Sequence, residues 1–182
     1  MAGWKEKRKV MQRYDLTAEI YDERYREEQK AKYDAVLENL NISNCSILDV
    51  GCGSGLFFSR AANAKVLVGV DISRKLLLKA KKQMRARGNI SVLLADADHL
   101  PFREACFDKV FAFTVLQNMP CPSETLNQLK MVVKHRGIVV VTGMKKFFSL
   151  SSFMDTLEGA GLHMVSFVAR EKLKCYVAVL EV

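Results

Sequence analysis

The segment Asp49-Val50-Gly51-Cys52-Gly53-Ser54-Gly55 constrains this chain more than any other. It joins the buried-looking run Ser46-Ile47-Leu48 to a helix expected from Leu56 onward, over about 55–62. Three glycines at alternate positions remove the Cβ where the main chain must turn sharply, and they let a ligand approach the backbone. An ordinary strand-to-helix turn avoids the entropy that three glycines cost, so an adenosine-like ligand is favoured over a turn with no ligand. Taken alone the loop is moderately specific.

The pattern on either side sets the fold. Apolar runs predict strands over about 46–50, 66–70, 90–95, 108–113 and 137–142, with helices over 55–62, 73–87 and 123–134 between them. Alternating strand and helix at this spacing implies an α/β fold, a parallel sheet covered on both faces. The stretch from Ser149 to Gly161 then reads as a serine-capped helix closed by glycine. Two strands follow, His163 to Ala169 and Leu173 to Leu180, separated only by Arg170-Glu171-Lys172. That connection is too short for a parallel crossover, so the seventh and last strand is expected to run antiparallel. The first forty residues read as helix, with Tyr14, Ala18, Tyr21 and Tyr25 at helical spacing. The expected organisation is a helical segment over 1–44 and a core over 45–182, one domain without repeats or a linker.

Composition narrows the setting. A chain of 182 residues holds one well-buried domain. Its longest apolar runs, such as Gly137-Ile138-Val139-Val140-Val141, are far below the roughly 20 residues of a membrane helix. The basic start, Lys5 to Lys9, is followed by no apolar stretch, so no secretory signal is expected and the protein reads as intracellular and cytoplasmic, with no membrane. Five cysteines, at 45, 52, 106, 121 and 175, are an odd number without a C-x-x-C pair, which argues against a disulfide framework and a zinc site; no metal is expected. The net charge of +8 is unevenly placed. Residues 1–40 hold nine basic and nine acidic side chains, so residues 41–182 carry the whole excess, 19 against 11.

Acids at the ends of successive strands distinguish between ligands. Asp71 closes the second strand twenty-two residues after Asp49, where a carboxylate accepts from both ribose hydroxyls. Asp96 closes the third, placed to accept from an adenine amino group. A dinucleotide domain shares the glycine loop and the ribose acid, but here Leu56 stands where G-x-G-x-x-G needs glycine, and no second domain is present to hold a hydride acceptor. S-adenosylmethionine fits better.

From about Tyr14 onward the sequence resembles the class I S-adenosylmethionine-dependent methyltransferases, of the broad type 11 group, with a Rossmann-like seven-stranded sheet. Asp49 to Gly55 is similar to that family's acidic glycine motif, Val70-Asp71-Ile72-Ser73 to its ribose motif, and Ala95-Asp96-Ala97-Asp98-His99-Leu100-Pro101-Phe102 to its adenine motif. Phe107 to Met119 is similar to its fourth strand and substrate-facing loop. The resemblance implies that Gly51, Gly53 and Gly55 pass under the methionine part and ribose, with Asp49 fixing the loop. It implies Asp71 at the ribose, Ile72 on the adenine face, Asp96 and the Ala97 backbone at the adenine edge, and Tyr14 and Tyr21 as a helical cap over the cofactor. His135-Arg136-Gly137 departs from the family, which usually carries proline and glycines before the fifth strand.

Methyl transfer from a sulfonium is an in-line displacement in which alignment supplies much of the rate. Thr114, Gln117 and Asn118 follow the fourth strand, where cofactor and acceptor should meet. Thr114 is a candidate on both sides of that meeting. Asn118 either orients an amine or hydroxyl nucleophile or stabilises the loop. His99 reads as a turn residue, and Cys121, in Pro120-Cys121-Pro122-Ser123, as the structural entry to a helix capped near Ser123.

Small-molecule methyltransferases generally enclose their substrate with inserted helices, and none is inserted after Gly143-Met144-Lys145-Lys146. An open site near Lys145, Lys146, Arg170, Lys172 and Lys174 suits a large anionic substrate. The leading expectation is an RNA methyltransferase acting on tRNA or rRNA, with a partner subunit possible. The alternatives are a small-molecule methyltransferase with the N-terminal helix as lid, and a non-catalytic cofactor- or RNA-binding protein.

Overall fold

In the computed structural model, which describes residues 2–84 and 88–182, seven strands form one sheet in the order β3-β2-β1-β4-β5-β7-β6. The strands are β1 (Ser46–Val50), β2 (Val66–Asp71), β3 (Ile90–Leu94), β4 (Phe107–Ala112), β5 (Val133–Met144), β6 (His163–Val168) and β7 (Cys175–Glu181). The pairs from β3 through to β5 are parallel, and β7 runs antiparallel to both its neighbours. The central strands β1 and β4 are apolar because both their faces are covered. On one face lie α2 (Tyr21–Leu37), the segment after β1 and α3 (Arg74–Met84), around Tyr33, Phe57 and Phe111. On the other lie α4 (Pro122–Val132) and α5 (Leu150–Gly159), around Leu126, Leu129 and Phe153.

The chain enters through α1 (Ala2–Thr17), and one 3-10 turn, Ala18–Ile20, joins it to α2. Lys79 of α3 fastens that turn by donating to the carbonyls of Ala18 and Glu19, at 2.8 and 3.1 Å.

Four local expectations are corrected. No helix forms over 55–62; the chain there is a run of turns, with Gly55, Phe58 and Arg60 donating to carbonyls three residues back. The Phe58 ring lies 2.7 Å from where a Gly55 Cβ would stand, and Gly55 holds φ 84°, so the chain cannot enter a helix at that point. Helix α4 begins at Pro122 after Cys121, not at a Ser123 cap, because proline presets the first helical φ. Strand β5 begins at Val133, and His135-Arg136-Gly137 forms a bulge in it: Phe107 faces Val133, but Lys109 already faces Ile138. The link between β6 and β7 spans residues 169–174 rather than three residues, closed by a turn from Leu173 N to the Arg170 carbonyl. The helix at 149–161 forms as expected, with Ser149 Oγ accepting from Ser152 N at 3.1 Å and Gly161 at φ 63° beyond its end. Of the helix expected over 73–87, residues 85–87 lie outside the described residues.

Candidate cofactor and acceptor site

Strand order reverses between β1 and β4, and at such a point in a parallel sheet the loops diverge and leave a crevice at the carboxyl ends of the strands. Here it becomes a cavity of about 330 Å³, its floor the ends of β1 to β4 and its outer wall α1 and α2. Gly51, Asp71, Ile72, Asp96, Ala97, Thr114, Asn118, Tyr14 and Tyr21 all line it; Asp49, Gly53 and Gly55 lie behind its wall.

The glycine loop is held to β2. Gly51 N and Cys52 N both donate to the Val70 carbonyl, at 2.8 and 3.0 Å. Gly51 and Gly53 sit at φ 72° and 57°, and both are packed from outside: a Cβ on Gly51 would stand 2.6 Å from a Val115 methyl, one on Gly53 3.1 Å from the Tyr21 hydroxyl. Side chains there would be strained twice, by conformation and by contact.

Gly53 N also donates to Asp71 Oδ2, and Ser73 N to Asp71 Oδ1, each at 2.8 Å. Burial pushes the Asp71 carboxyl up to about 6, against the downward pull of those N–H groups. A carboxylate offers about four acceptor sites, so the group keeps capacity for a hydroxyl of a ligand in the cavity it lines. Behind it Asp49 is 2% exposed, and its Oδ2 has no hydrogen-bond partner among the described residues. Burial, then the nearby Asp71, holds the Asp49 carboxyl well above the usual carboxylate range.

Asp96 departs from its expected freedom. Lys7 of α1 donates to both its oxygens, at 2.9 and 2.8 Å, and contacts Asp98 as well. The acid expected at an adenine edge is therefore covered by a lysine of α1, which the sequence pattern of that helix, charged on most of its faces, does not single out.

Tyr14, Tyr21 and Tyr25 form a ladder of rings along the outer wall, with centroids 6.0 and 5.0 Å apart. Burial raises the phenols of Tyr14 and Tyr21, so both stay neutral donors and acceptors at physiological pH.

At the far end of the cavity Thr114 adopts φ 63°, a strained conformation for a β-branched residue. Every polar group of it is held. Its N–H donates to Thr142 Oγ1 at 2.7 Å, its carbonyl accepts from the side-chain amides of Gln117 and Asn118, and its Oγ1 accepts from Lys32 Nζ at 2.8 Å and Gln29 Nε2 at 3.3 Å. Lys32 is fully buried and also donates to Glu28 at 2.9 Å. Sequence reasoning missed Glu28, Gln29 and Lys32. The available signal was the stripe Tyr25, Gln29, Lys32, Val36, which places Lys32 on the buried face of α2.

Asn118 accepts from Arg13 at 2.9 Å and donates to the Thr114 carbonyl at 3.0 Å and towards Tyr14 Oη at 3.3 Å. Those contacts are a tie between α1 and the loop after β4. His99 is exposed in a turn closed by its N–H on the Asp96 carbonyl, and Cys121 lies off the cavity wall. No group of side chains among the described residues is arranged to hold a metal ion.

The basic rim is smaller than the sequence implies. Arg170 is clamped on both carboxylate oxygens of Glu38, and Lys145 donates to the Arg170 carbonyl at 2.9 Å. Lys146 and the unanticipated Arg24 line the cavity itself, with Lys174 in the adjoining groove.

Residues 48–141 match the family model described as a methyltransferase domain. Among curated relatives, the malonyl-[acyl-carrier protein] O-methyltransferase of Marinomonas sp. is 28% identical over 77% of this chain and 53% of its own. The tRNA U34 carboxymethyltransferase of Campylobacter curvus is 31% identical over 62% of this chain and 39% of its own. The chain thus spans about half the length, or less, of these relatives. Among solved structures, a Haloferax volcanii protein in complex with the Trm112 methyltransferase activator superposes with a TM-score of 0.81 at 16% identity, over 92% of this chain and 96% of that one. Magnesium protoporphyrin IX methyltransferase from Synechocystis, with bound S-adenosylmethionine, gives 0.78 at 16%, over 97% and 96%.

The residues at the strand ends fit that ligand. At the end of β2 the buried Asp71 carboxylate faces the cavity as an acceptor for hydroxyl groups, and beside the glycine loop Asp49 Oδ2 has no hydrogen-bond partner among the described residues.

Proposed function

Because the chain belongs to the class I S-adenosylmethionine-dependent methyltransferase family, in its type 11 group, with S-adenosylmethionine as cofactor, we propose that it methylates RNA, tRNA or rRNA. The cationic mouth of the cavity, formed by Arg24 and Lys146 with Lys174 beside them, carries this reading. Cations there attract phosphates of any sequence and draw a polyanion towards the site.

The cofactor supplies a methyl group on a sulfonium, open to in-line displacement. Asp71 would hold the ribose, Ile72 and Ala97 would bound the adenine, and Asp96 would meet its edge where Lys7 now sits. Asp49, buried beside the glycine loop, would fix that loop under the methionine part. Tyr14 and Tyr21, in the outer wall, would cover the cofactor and exclude water. Thr114, fixed by Lys32 and Gln29, orients the acceptor, and Asn118 keeps the loop that carries it closed on α1.

The likeness to a protein solved with the Trm112 activator supports a partner subunit. The tRNA-modifying relative supports RNA as substrate class. Five unpaired cysteines support a reducing compartment, the cytoplasm, and no helix among the described residues is long and apolar enough to cross a membrane.

One observation favours a second reading. Lys7 and Arg13 latch α1 across the cavity, as a lid over a small acceptor would be, and one curated relative is named for a carrier-bound malonyl group. Transfer of labelled methyl from S-adenosylmethionine into total RNA decides between them. Label in RNA supports the proposal; turnover of small acids or amines without it favours the lid, and cofactor binding without transfer to anything favours a non-catalytic role.

A further inference from the structure

Three cation and ring pairs surround the mouth of the cavity. The Arg13 guanidinium lies 5.0 Å from the Tyr14 centroid, that of Arg24 5.6 Å from Tyr25, and the Lys146 ammonium 5.0 Å from Phe147. All six side chains line the cavity. Two of the rings belong to the tyrosine ladder of α1 and α2. Phe147 does not: it stands in the turn between β5 and α5, 58% exposed, outside both apolar clusters of the fold. Single exposed apolar side chains are ordinary, but this ring also lines the cavity, so its face is open to whatever enters there.

The charge around it is one-sided. A groove continuous with the cavity through Arg24, Tyr25, Glu28, Met144 and Lys146 adds Lys145 and Lys174. Its single carboxylate, Glu28, is paired with Lys32 at 2.9 Å and Lys174 at 3.6 Å. The enclosed space is about 330 Å³, small for a site that shares its walls between a nucleoside cofactor and an acceptor. That leaves room for one flat group of an acceptor, with the cationic groove beside it for the remainder.

We propose that the acceptor is an unpaired nucleotide of single-stranded RNA, its base stacked on Phe147 and its flanking phosphates held by Arg24, Lys146 and Lys174. The inference rests on the RNA reading above and names how the substrate is presented. Exposed aromatic rings interleaved with cations are what single strands need, since every base offers a face for stacking and every nucleotide a charge. A paired base cannot reach a recessed cavity without leaving its stack. A-form duplex offers no such face, because its bases are covered above and below.

The test uses the RNA fragment that carries the label from S-adenosylmethionine, offered to the whole protein alone and annealed to its complement. The expected result is efficient transfer to the free strand and less than about a tenth of it to the paired one. Phe147→Ala should lower kcat/KM on the free strand by roughly tenfold to a hundredfold, Phe147→Trp should restore it, and cofactor affinity should be unchanged in both. Arg24→Ala and Lys146→Ala should each flatten the salt dependence of kcat/KM. Equal transfer to both forms with no effect of Phe147→Ala overturns this inference and leaves the RNA reading standing. If no RNA takes label from a protein that binds its cofactor, both fall.

Discussion

Lys7 Nζ lies 2.9 and 2.8 Å from the two carboxylate oxygens of Asp96, so a residue of the first helix occupies the place where the third strand would meet an adenine edge. The pair is almost closed to solvent, with 9% and 14% of the two side chains exposed, and Asp98 completes it at 7%. The Lys7 ammonium is held above its ordinary range: burial opposes the charge, and the hydrogen bonds and attraction of Asp96 and Asp98 outweigh it.

Removing that lysine strands two acids. Lys7→Met should destabilise the cofactor-free protein by ~2 kcal/mol, below the cost of breaking a deep ion pair because each acid keeps another donor, Asp96 from Asp98 N and Asp98 from Thr125 Oγ1. Adenine would restore part of the loss by donating to Asp96. The thermal shift on adding S-adenosylmethionine should therefore be larger in Lys7→Met than in the wild type. Equal shifts would refute the sharing of Asp96 between lysine and adenine.

Asp71 predicts a pH effect on stability. Its folded pKa, about 6, lies above the 3.8 of an unperturbed aspartate, so the folded state binds the proton more tightly. The corresponding stabilisation is complete below the unfolded value and is lost as pH rises through 6. Taken as the difference between wild type and Asp71→Asn in urea unfolding, the wild type should gain up to roughly 3 kcal/mol between pH 7.5 and pH 4. A flat difference would place the carboxyl in a more polar setting than the one described.

The same residue predicts a pH effect on binding with the opposite sign. If Asp71 accepts from the ribose as a carboxylate, S-adenosylmethionine affinity should weaken below pH 6, by at most tenfold per unit. Asp71→Ala should lose at least tenfold at pH 7.5, since each charge-assisted hydrogen bond is worth ~1.5–3 kcal/mol. Calorimetric titration at several pH values measures both, and unchanged binding by the alanine variant would remove Asp71 from the ribose.

Thr114 and Lys32 predict a coupling. Thr114→Val keeps the shape but leaves the buried Lys32 ammonium with Glu28 as its remaining partner, and should cost about 1–3 kcal/mol. Lys32→Met removes the charge together with its need, so Thr114→Val should cost much less in that background. A double-mutant cycle by denaturant unfolding reads the difference directly, and additive losses would mean that the contact contributes little.

Most of the sheet could be read from the chain because its signals are local. Ser46 to Val50 and Val66 to Asp71 are apolar runs of strand length ending in an acid, and Arg170 to Lys172 are too few residues for a crossover. What failed depends on packing that the apolar pattern does not announce. The turns after Gly55 follow from the Phe58 ring beneath it, and the early start of β5 from the bulge opposite Phe107. The carboxylates at the strand ends were visible, but the lysine that pairs with Asp96 and the one that holds Thr114 were not. Lys7 and Lys32 sit in helices rich in charge, where a lysine ordinarily faces water, and only the packing of α1 and α2 over the strand ends buries them.

The position of β7 bears on the order in which the molecule is assembled. β6 precedes it in the chain but touches the rest of the sheet only through it, because β7 lies between β5 and β6. The five parallel strands can associate while the chain is still being made, yet β6 has no ladder to join until β7 arrives. Closing that edge is a late, non-local event, of the kind that slows folding and leaves a strand exposed meanwhile. The parallel half, with its glycine loop and strand-end acids, needs none of that edge to form its own ladders.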